Sequence, residues 1–133
     1  MHPYPLLTGS FLYDTIRVEV NFMKDYWLVI NPDNMSIEIC FPNYKMNGIN
    51  ACLATIHLDQ QEQLLKRLQE ITRDTSPFTL SYEYFSLEID PYNIVYTFHM
   101  FHEEVRYFLF THIFIEALGE YLVEMKKLIQ SKM

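Results

Sequence analysis

The first third of the chain alternates apolar and polar residues in the way that β-strands do. From Thr15 the sequence TIRVEVNF places an apolar residue at every second position, which is the period of a half-buried strand. YWLVI at 26–30 is apolar on both faces, as in a central strand, and MSIEICF at 35–41 alternates again. NPDN at 31–34 supplies turn residues between the last two runs. The pattern predicts three strands in an antiparallel meander.

A helical period follows this meander. Asp59 and Glu62 have the spacing of a capping box at a helix start, and apolar residues then recur every three or four positions. We therefore expect a central helix near 59–74. The preceding INACLATIHL at 49–58 fits either a strand or the first turns of a helix, and the sequence leaves both open.

A second strand-forming region begins after this helix. FTLSYEYFSLEI at 78–89 is rich in aromatic and β-branched residues, but the parity of its apolar positions changes midway. One strand with a bulge near 84–86 would reconcile the two halves. DPYN at 90–93 then repeats the turn chemistry of the first meander.

A hairpin and a long helix complete the pattern. IVYTFHMF at 94–101 and VRYFLF at 105–110 read as strands, with HEE at 102–104 as the loop between them. From 111 to 130 the apolar residues recur at helical spacing. This helix also carries an acidic stripe that we expect to be a solvated face: Glu116, Glu120 and Glu124.

Together these elements predict one α+β domain over residues 1–133. The expected architecture is an antiparallel β-sheet of about six or seven strands in two meanders, with a central helix near 59–74 and a long C-terminal helix near 111–130. A length of 133 residues is typical of a single domain that buries its own core.

The charge balance excludes one class of partner and favours another. The chain has 17 acidic and 10 basic residues and a formal net charge of −7. Phosphate backbones are bound through Lys and Arg, so we expect no nucleic-acid binding. An acidic surface instead attracts and steers a basic protein. Half of the residues are apolar, which is too many for a disordered chain.

The N-terminus and the cysteines bear on the cellular compartment. MHPYPLLTGS lacks the basic region and long apolar run of a signal peptide, and no apolar run reaches the length of a membrane span. Cys40 and Cys52 are too few for a disulfide framework. We therefore expect a cytoplasmic protein with reduced thiols and no membrane contact. His57 is near Cys52 in sequence only, so a buried structural thiol is expected there rather than a nucleophile.

Three histidines among glutamates, at 99, 102 and 112, raise the question of a metal or acid–base site. If 94–101 is a strand, His99 and His102 point to opposite faces and cannot easily chelate one ion, whereas a helix would put them on one face. The aromatic and β-branched residues favour the strand. The sequence also lacks the common phosphate-loop, nucleophile-elbow and zinc-protease motifs. We expect no metal, no cofactor and no enzymatic activity, and whether His99, His102 and His112 share a site is left open.

The second strand-forming region mixes tyrosines with carboxylates, which is the composition of a surface that binds a basic protein. The tyrosines would act as anchors and the carboxylates as a charged ring around them. We predict these partner-binding residues: Tyr82, Glu83, Tyr84, Glu88, Asp90, Tyr92, Glu103 and Glu104.

In size, acidity and β-rich plan with helices, the chain resembles immunity proteins of bacterial toxin systems, as a class and without matching motifs. The resemblance implies an inhibitor whose carboxylates occupy the cationic groove of a nuclease-like toxin. Two alternatives stay open. One is a homodimeric adaptor or secretion-chaperone-like protein that associates through a helix face or a sheet edge. The other is a small-molecule-binding or metal-dependent enzyme with a deep pocket lined by His99 or His112.

Overall fold

A computed structural model describes residues 8–13, 16–21, 24–100 and 103–133. At 8–13, 19–21, 100, 103 and 104 the description covers the backbone only. Eight strands form two four-stranded antiparallel sheets, in each of which every strand pairs with the next one along the chain. The strands of the first sheet are β1 (Thr8–Tyr13), β2 (Ile16–Asn21), β3 (Trp27–Asn31) and β4 (Ser36–Cys40), and those of the second are β5 (Phe78–Ser81), β6 (Phe85–Ile89), β7 (Asn93–Met100) and β8 (Glu103–Phe110).

The two longer helices lie where the sequence predicts helical periods, although the central helix ends at Gln69 and not near residue 74. A 3-10 helix at Tyr44–Gly48 leads into α1 (Ile49–Leu53), and the central helix is α2 (Leu58–Gln69). The long C-terminal helix is α3 (Thr111–Ser131). The predicted α+β class with two meanders is confirmed, although the first meander has a fourth strand, β1, that the sequence did not predict. The open question at 49–58 resolves as a short helix and a turn rather than a strand.

The start of α2 differs from the predicted capping box of Asp59 and Glu62. His57 precedes the helix with extended backbone angles, and its N–H donates to Oε1 of Gln60 at 3.0 Å. Asp59 lies inside the first turn, where its charge favours the positive helix start. Glu62 pairs instead with Lys126 of α3 at 2.9 Å. The predicted box is therefore wrong by two residues, although its chemistry, a side chain bonding back to the cap N–H, is present.

The predicted bulge at 84–86 is a turn. The N–H of Tyr82 donates to the Phe85 carbonyl at 2.8 Å, closing a hairpin between β5 and β6. Leu80 on one arm stands opposite Leu87 on the other, so both arms direct apolar residues inward. The change of parity arises because the chain reverses direction there, not because one strand gains an extra residue.

The loop predicted at 102–104 is also shorter than expected. Strand β8 already includes Glu103 and Glu104, which stand opposite Met100 and His99 of β7. Residues 101 and 102 lie outside the described residues. The two glutamates are therefore strand residues at the end of the β7–β8 hairpin.

One buried core connects both sheets and the helices. Helix α3 packs against α2, β4 and β8 and so joins the two sheets. Fully buried side chains come from every layer: Leu28, Ile39, Leu64, Leu87 and Phe114. Because this core draws on residues far apart in sequence, the second sheet is held in a fixed position by the helices.

The acidic stripe of α3 faces the first sheet. Arg17 of β2 bonds to Glu124 at 2.9 Å, and Lys24 pairs with Glu116 at 3.2 Å and with Glu120 at 3.6 Å. The stripe therefore carries intramolecular ion pairs in addition to its contact with solvent, which lowers the net negative charge that it presents to a partner.

Asparagines cover the outer edge of β4. Asn50 Nδ2 donates to the Ile39 carbonyl at 2.7 Å, and its Oδ1 accepts from the Ile39 N–H at 2.8 Å. Asn47 Oδ1 accepts from the Phe41 N–H at 2.7 Å. These side chains take the place of a neighbouring strand, so this edge of the first sheet is closed to pairing with another chain.

Candidate protein-interaction surface

The turns of the second sheet lie at two opposite ends. The β5–β6 turn and the end of the β7–β8 hairpin are neighbours, because the His99 N–H donates to the Tyr84 carbonyl at 2.9 Å. The β6–β7 turn lies at the other end beside the start of α3, where the Thr111 N–H donates to the Tyr92 carbonyl at 3.0 Å. We call the first the hairpin end and the second the helix end. The hairpin end comprises Tyr82, Glu83, Tyr84, His99, Glu103 and Glu104.

The predicted partner-binding residues divide between these ends. The structure brings five of them to the hairpin end, namely Tyr82, Glu83, Tyr84, Glu103 and Glu104, and leaves three toward the helix end, namely Glu88, Asp90 and Tyr92. From Tyr84 to Asp90 is six strand steps of about 3.3 Å, or roughly 20 Å. They therefore form two separate groups instead of one ring.

At the hairpin end, the two tyrosines differ in environment. The Tyr82 ring stacks on Phe85 with centroids 4.6 Å apart and planes 14° apart, and burial raises the pKa of its hydroxyl. The Tyr84 side chain is 48% exposed. Between them, Glu83 is exposed, and no ion pair or side-chain hydrogen bond involves it within the described part of the chain. Tyr82 thus supports the turn, while Glu83 and Tyr84 are presented to solvent.

A polar cleft adjoins this turn. It encloses about 440 Å³ between the β5–β6 hairpin and the segment that joins α1 to α2. Its lining residues are Thr55, Ile56, His57, Gln60, Ser81, Tyr82 and Glu83. With one carboxylate and several hydroxyl and amide groups at its rim, the cleft suits a polar or cationic side chain from a partner protein.

At the helix end, the acidic groups are already engaged. Asp90 Oδ1 accepts from the N–H groups of Tyr92 and Asn93 at 2.7 and 2.8 Å, and the Asp90 carbonyl accepts from Thr111 Oγ1 at 2.9 Å. The carboxylate of Asp90 therefore fixes its own turn, and its backbone carbonyl ties that turn to α3. The aromatic side chain of Tyr92 remains exposed.

Glu88 is likewise compensated within the chain. It lies on the outer face of β6 and accepts a hydrogen bond from Arg106 of β8 at 2.9 Å. Both side chains are more than half exposed, so the pair adds little to stability, but it lowers the negative charge of this face.

The described histidines lie apart. His99 stands opposite Glu104, whereas His112 follows Phe110, which stands opposite Asn93. Six steps along β7 separate these positions, or roughly 20 Å, so His99 and His112 share no site. His102 lies outside the described residues. In the part of the chain that the structure describes, no group of three His, Cys, Asp or Glu side chains could hold a metal ion.

Cys52 is buried, as the sequence predicts. Its side chain is inaccessible to solvent, and burial raises the pKa of its thiol to about 12. A thiol that stays protonated at neutral pH is a poor nucleophile. His57, by contrast, is exposed at the start of α2, so the two residues do not form a catalytic pair.

The outer aromatic residues of β8 were missed by the sequence analysis. Phe108 and Phe110 are 45% and 42% exposed, and their rings meet edge to face at 5.6 Å. Leu109 between them is fully buried. VRYFLF is apolar on both faces, which is typical of a central strand, yet β8 lies at the edge of its sheet. The sequence carried no signal for this, because edge position depends on the order of the strands in the folded sheet.

Comparisons of the chain with protein-family models, with curated proteins and with solved structures gave no match. In the described residues, no helix is both long enough and apolar enough to cross a membrane.

Proposed function

We propose that this chain is a protein-binding module that inhibits a basic partner, such as a nuclease toxin, by covering its cationic surface. The contact is made by the hairpin end of the second sheet. Glu83, Glu103 and Glu104 supply negative charge, and Tyr84 supplies an aromatic anchor at the turn.

The observation that carries the proposal is the difference between Glu83 and the other two acidic side chains that the structure describes in this sheet, Glu88 and Asp90. Glu88 is paired with Arg106, and Asp90 is bonded to its own turn. Glu83 is exposed beside Tyr84 and has no described ion-pair partner. A carboxylate that contributes nothing to the fold is available for a cation on another protein.

Phosphate-binding grooves of nucleases are lined by Lys and Arg, and carboxylates at the same spacing compete with phosphate for those groups. Long-range attraction between the acidic chain and a basic partner would accelerate association, and rising salt would slow it. Burial of the Tyr84 ring would then slow dissociation. The mechanism is competitive occlusion and needs no chemical step.

The test is affinity purification of the tagged chain from its native cell at increasing salt, with two charge-reversed variants. Glu83→Lys alters the proposed contact. Glu38→Lys is the matched control, because Glu38 is an exposed carboxylate on β4 of the other sheet. We expect wild type and Glu38→Lys to retain one basic protein that elutes as salt rises, and Glu83→Lys to lose it.

Equal retention by all three proteins, or loss with Glu38→Lys alone, would show that the hairpin end is not the contact. Circular dichroism of each variant confirms that the fold is intact, which is expected because both residues are exposed and lie on the surface of sheets held by a common core.

A further inference from the structure

In the part of the chain that the structure describes, one edge of strand β8 is unpaired. The Thr111 N–H bonds to the Tyr92 carbonyl, and the register of β7 and β8 continues this pairing along both strands. In an antiparallel pair, alternate residues exchange hydrogen bonds with the neighbouring strand. The odd-numbered residues of β8 therefore bond to β7, and the even-numbered residues 104, 106, 108 and 110 direct their N–H and C=O groups away from the sheet.

Among the described residues, no hydrogen bond closes this edge as the asparagines close the edge of β4, although the 3-10 helix contacts β8. β8 is the last strand in the sheet order, and within the described residues no backbone or side-chain group bonds to its outer side. Arg106 is the single described charged side chain on it, and it is paired with Glu88. Phe108 and Phe110 are exposed beside it. Natural edge strands are normally blocked by lysines, bulges or covering segments. An edge without these features can form hydrogen bonds with another strand.

We propose that the occupant of this edge is a second copy of the chain, whose β8 pairs antiparallel about a two-fold axis to make one continuous eight-stranded sheet. The two strands pair along their whole length when Tyr107 stands opposite Tyr107 of the second copy. Residue 104 then pairs with 110 and 106 with 108, so all four outward-facing residues of each strand are bonded. Arg106 comes opposite Phe108 of the second copy, where a guanidinium can lie over the ring.

Charge supports antiparallel pairing with a second copy. Glu103 and Glu104 lie at one end of β8, and α3 starts at the other end. The start of α3 has no acidic residue in its first turn and no side-chain cap at Phe110. The proposed register brings Glu103 and Glu104 of one copy opposite Thr111 and Phe110 of the other. Two acidic positions thereby come opposite the start of a helix, where negative charge is favourable, and the two acidic hairpin ends are kept apart.

The contact is small. It consists of one strand pair and the exposed portions of Phe108 and Phe110 from each copy, which is less than the area of a standard stable interface. The dimer is therefore expected to dissociate on dilution. The dimer does not rest on the proposed partner, because Glu83 and Tyr84 lie on the β5–β6 turn and not on β8. Glu103 and Glu104 are the two residues that both proposed contacts share.

The first test is sedimentation equilibrium of the full chain over a wide dilution series. We expect the mass to rise from that of a monomer to that of a dimer with concentration. Phe108→Lys places a charge on the pairing edge and should hold the chain at monomer mass. Val123→Lys is the control, because Val123 is 53% exposed and lies roughly 18 Å along α3 from the end of β8, and it should dimerise as wild type does.

Phe110→Lys is a second edge variant and should behave as Phe108→Lys does. A wild-type chain that stays monomeric at every concentration would overturn the proposal. So would dimers that persist in both folded edge variants.

The second test concerns the register and uses cysteines in a background that carries Cys40→Ser. Residues 106 and 108 are opposite one another in the proposed dimer, with Cα atoms about 5.5 Å apart. A mixture of Arg106→Cys and Phe108→Cys should form a disulfide-linked heterodimer on mild oxidation, and neither variant alone should do so. Efficient cross-linking of Arg106→Cys to itself, or no cross-linking of the mixture, would contradict this register.

Discussion

At the scale of single residues, the surroundings decide what each side chain does, and residue type alone does not. Asp90 and Glu83 are both carboxylates on turns of the same sheet, yet Asp90 accepts two backbone hydrogen bonds while Glu83 is exposed. The two cysteines differ in the same way. Cys52 is inaccessible, whereas Cys40 is only partly buried.

Cys52 should make the fold sensitive to alkaline pH. Burial raises the pKa of its thiol from 9.0 to about 12. Between these values the unfolded chain has lost the thiol proton and the folded chain has kept it, so rising pH favours the unfolded state. The contribution of Cys52 to stability is fully present below pH 9 and is lost as the pH rises toward 12, by at most ~1.4 kcal/mol per pH unit.

Urea unfolding at a series of pH values measures this effect. The free energy of unfolding should fall above pH 9 in wild type and fall less steeply in Cys52→Ala. Burial also raises the pKa of Tyr26 and Tyr96, so some of the alkaline loss should remain in the variant. If the free energy of unfolding fell equally with pH in wild type and in Cys52→Ala, the pKa of the Cys52 thiol would not be raised by folding.

At the scale of elements, periodicity predicts most of the fold, and the errors fall at the boundaries. Strands β2, β3, β4, β7 and β8 and the two longer helices follow from periods of two and of about 3.6 residues, whereas β1 was not predicted and β5 and β6 were predicted as one strand. The parity change near Tyr84 was visible, but a bulge and a turn produce the same pattern in a short apolar run. The capping box was predicted at Asp59 and Glu62, because Asp is a favoured cap residue. The observed pair is His57 and Gln60, two residues earlier. Local sequence leaves these choices open, and packing of the hairpin arms resolves them.

The glycines of the helical segments give a paired prediction. Gly119 lies within α3, and a Cβ there would meet nothing within 4 Å, so Gly119→Ala should stabilise the fold by about 1 kcal/mol through helix propensity. A Cβ at Gly48 would lie 3.0 Å from the Tyr96 hydroxyl oxygen, which donates to the Lys45 carbonyl at 2.7 Å. Gly48→Ala should therefore destabilise it.

Thermal and urea unfolding of the two variants check this pair. Each change adds one methyl group to a glycine without a positive φ, so the difference between them isolates the effect of the surroundings. A gain in stability at Gly48, or a loss at Gly119, would contradict the described packing around Tyr96 or along α3.

At the scale of the whole molecule, the features most relevant to function depend on contacts that sequence separation hides. Arg17 and Glu124 are 107 positions apart and still form an ion pair, so the acidic stripe of α3 could not be recognised as internally compensated. The pairing of Glu88 with Arg106 depends on strand order in the same way. Composition correctly indicated an acidic chain, but it could not indicate which carboxylates remain unpaired.

The eight partner-binding residues illustrate the same limit. Their sequence neighbourhood suggested one ring, and the meander divides them between two ends of the sheet because successive turns alternate in position. Similarly, VRYFLF gave no sign that it forms an edge, since edge position is a property of the finished sheet. The types of the elements could be predicted from the sequence. Which residues form the exposed surface could not, because that depends on the fold.

The most direct measurement of the central claim is site-specific photo-cross-linking of the chain in its native cell. A photoreactive phenylalanine replaces Tyr84 at the hairpin end or Tyr44 on the 3-10 helix, two exposed tyrosines whose replacement leaves the core unchanged. The account predicts a cross-link from position 84 to a basic protein, weakened by high salt, and no such product from position 44. A basic protein that cross-links from position 44 and not from position 84 would contradict it.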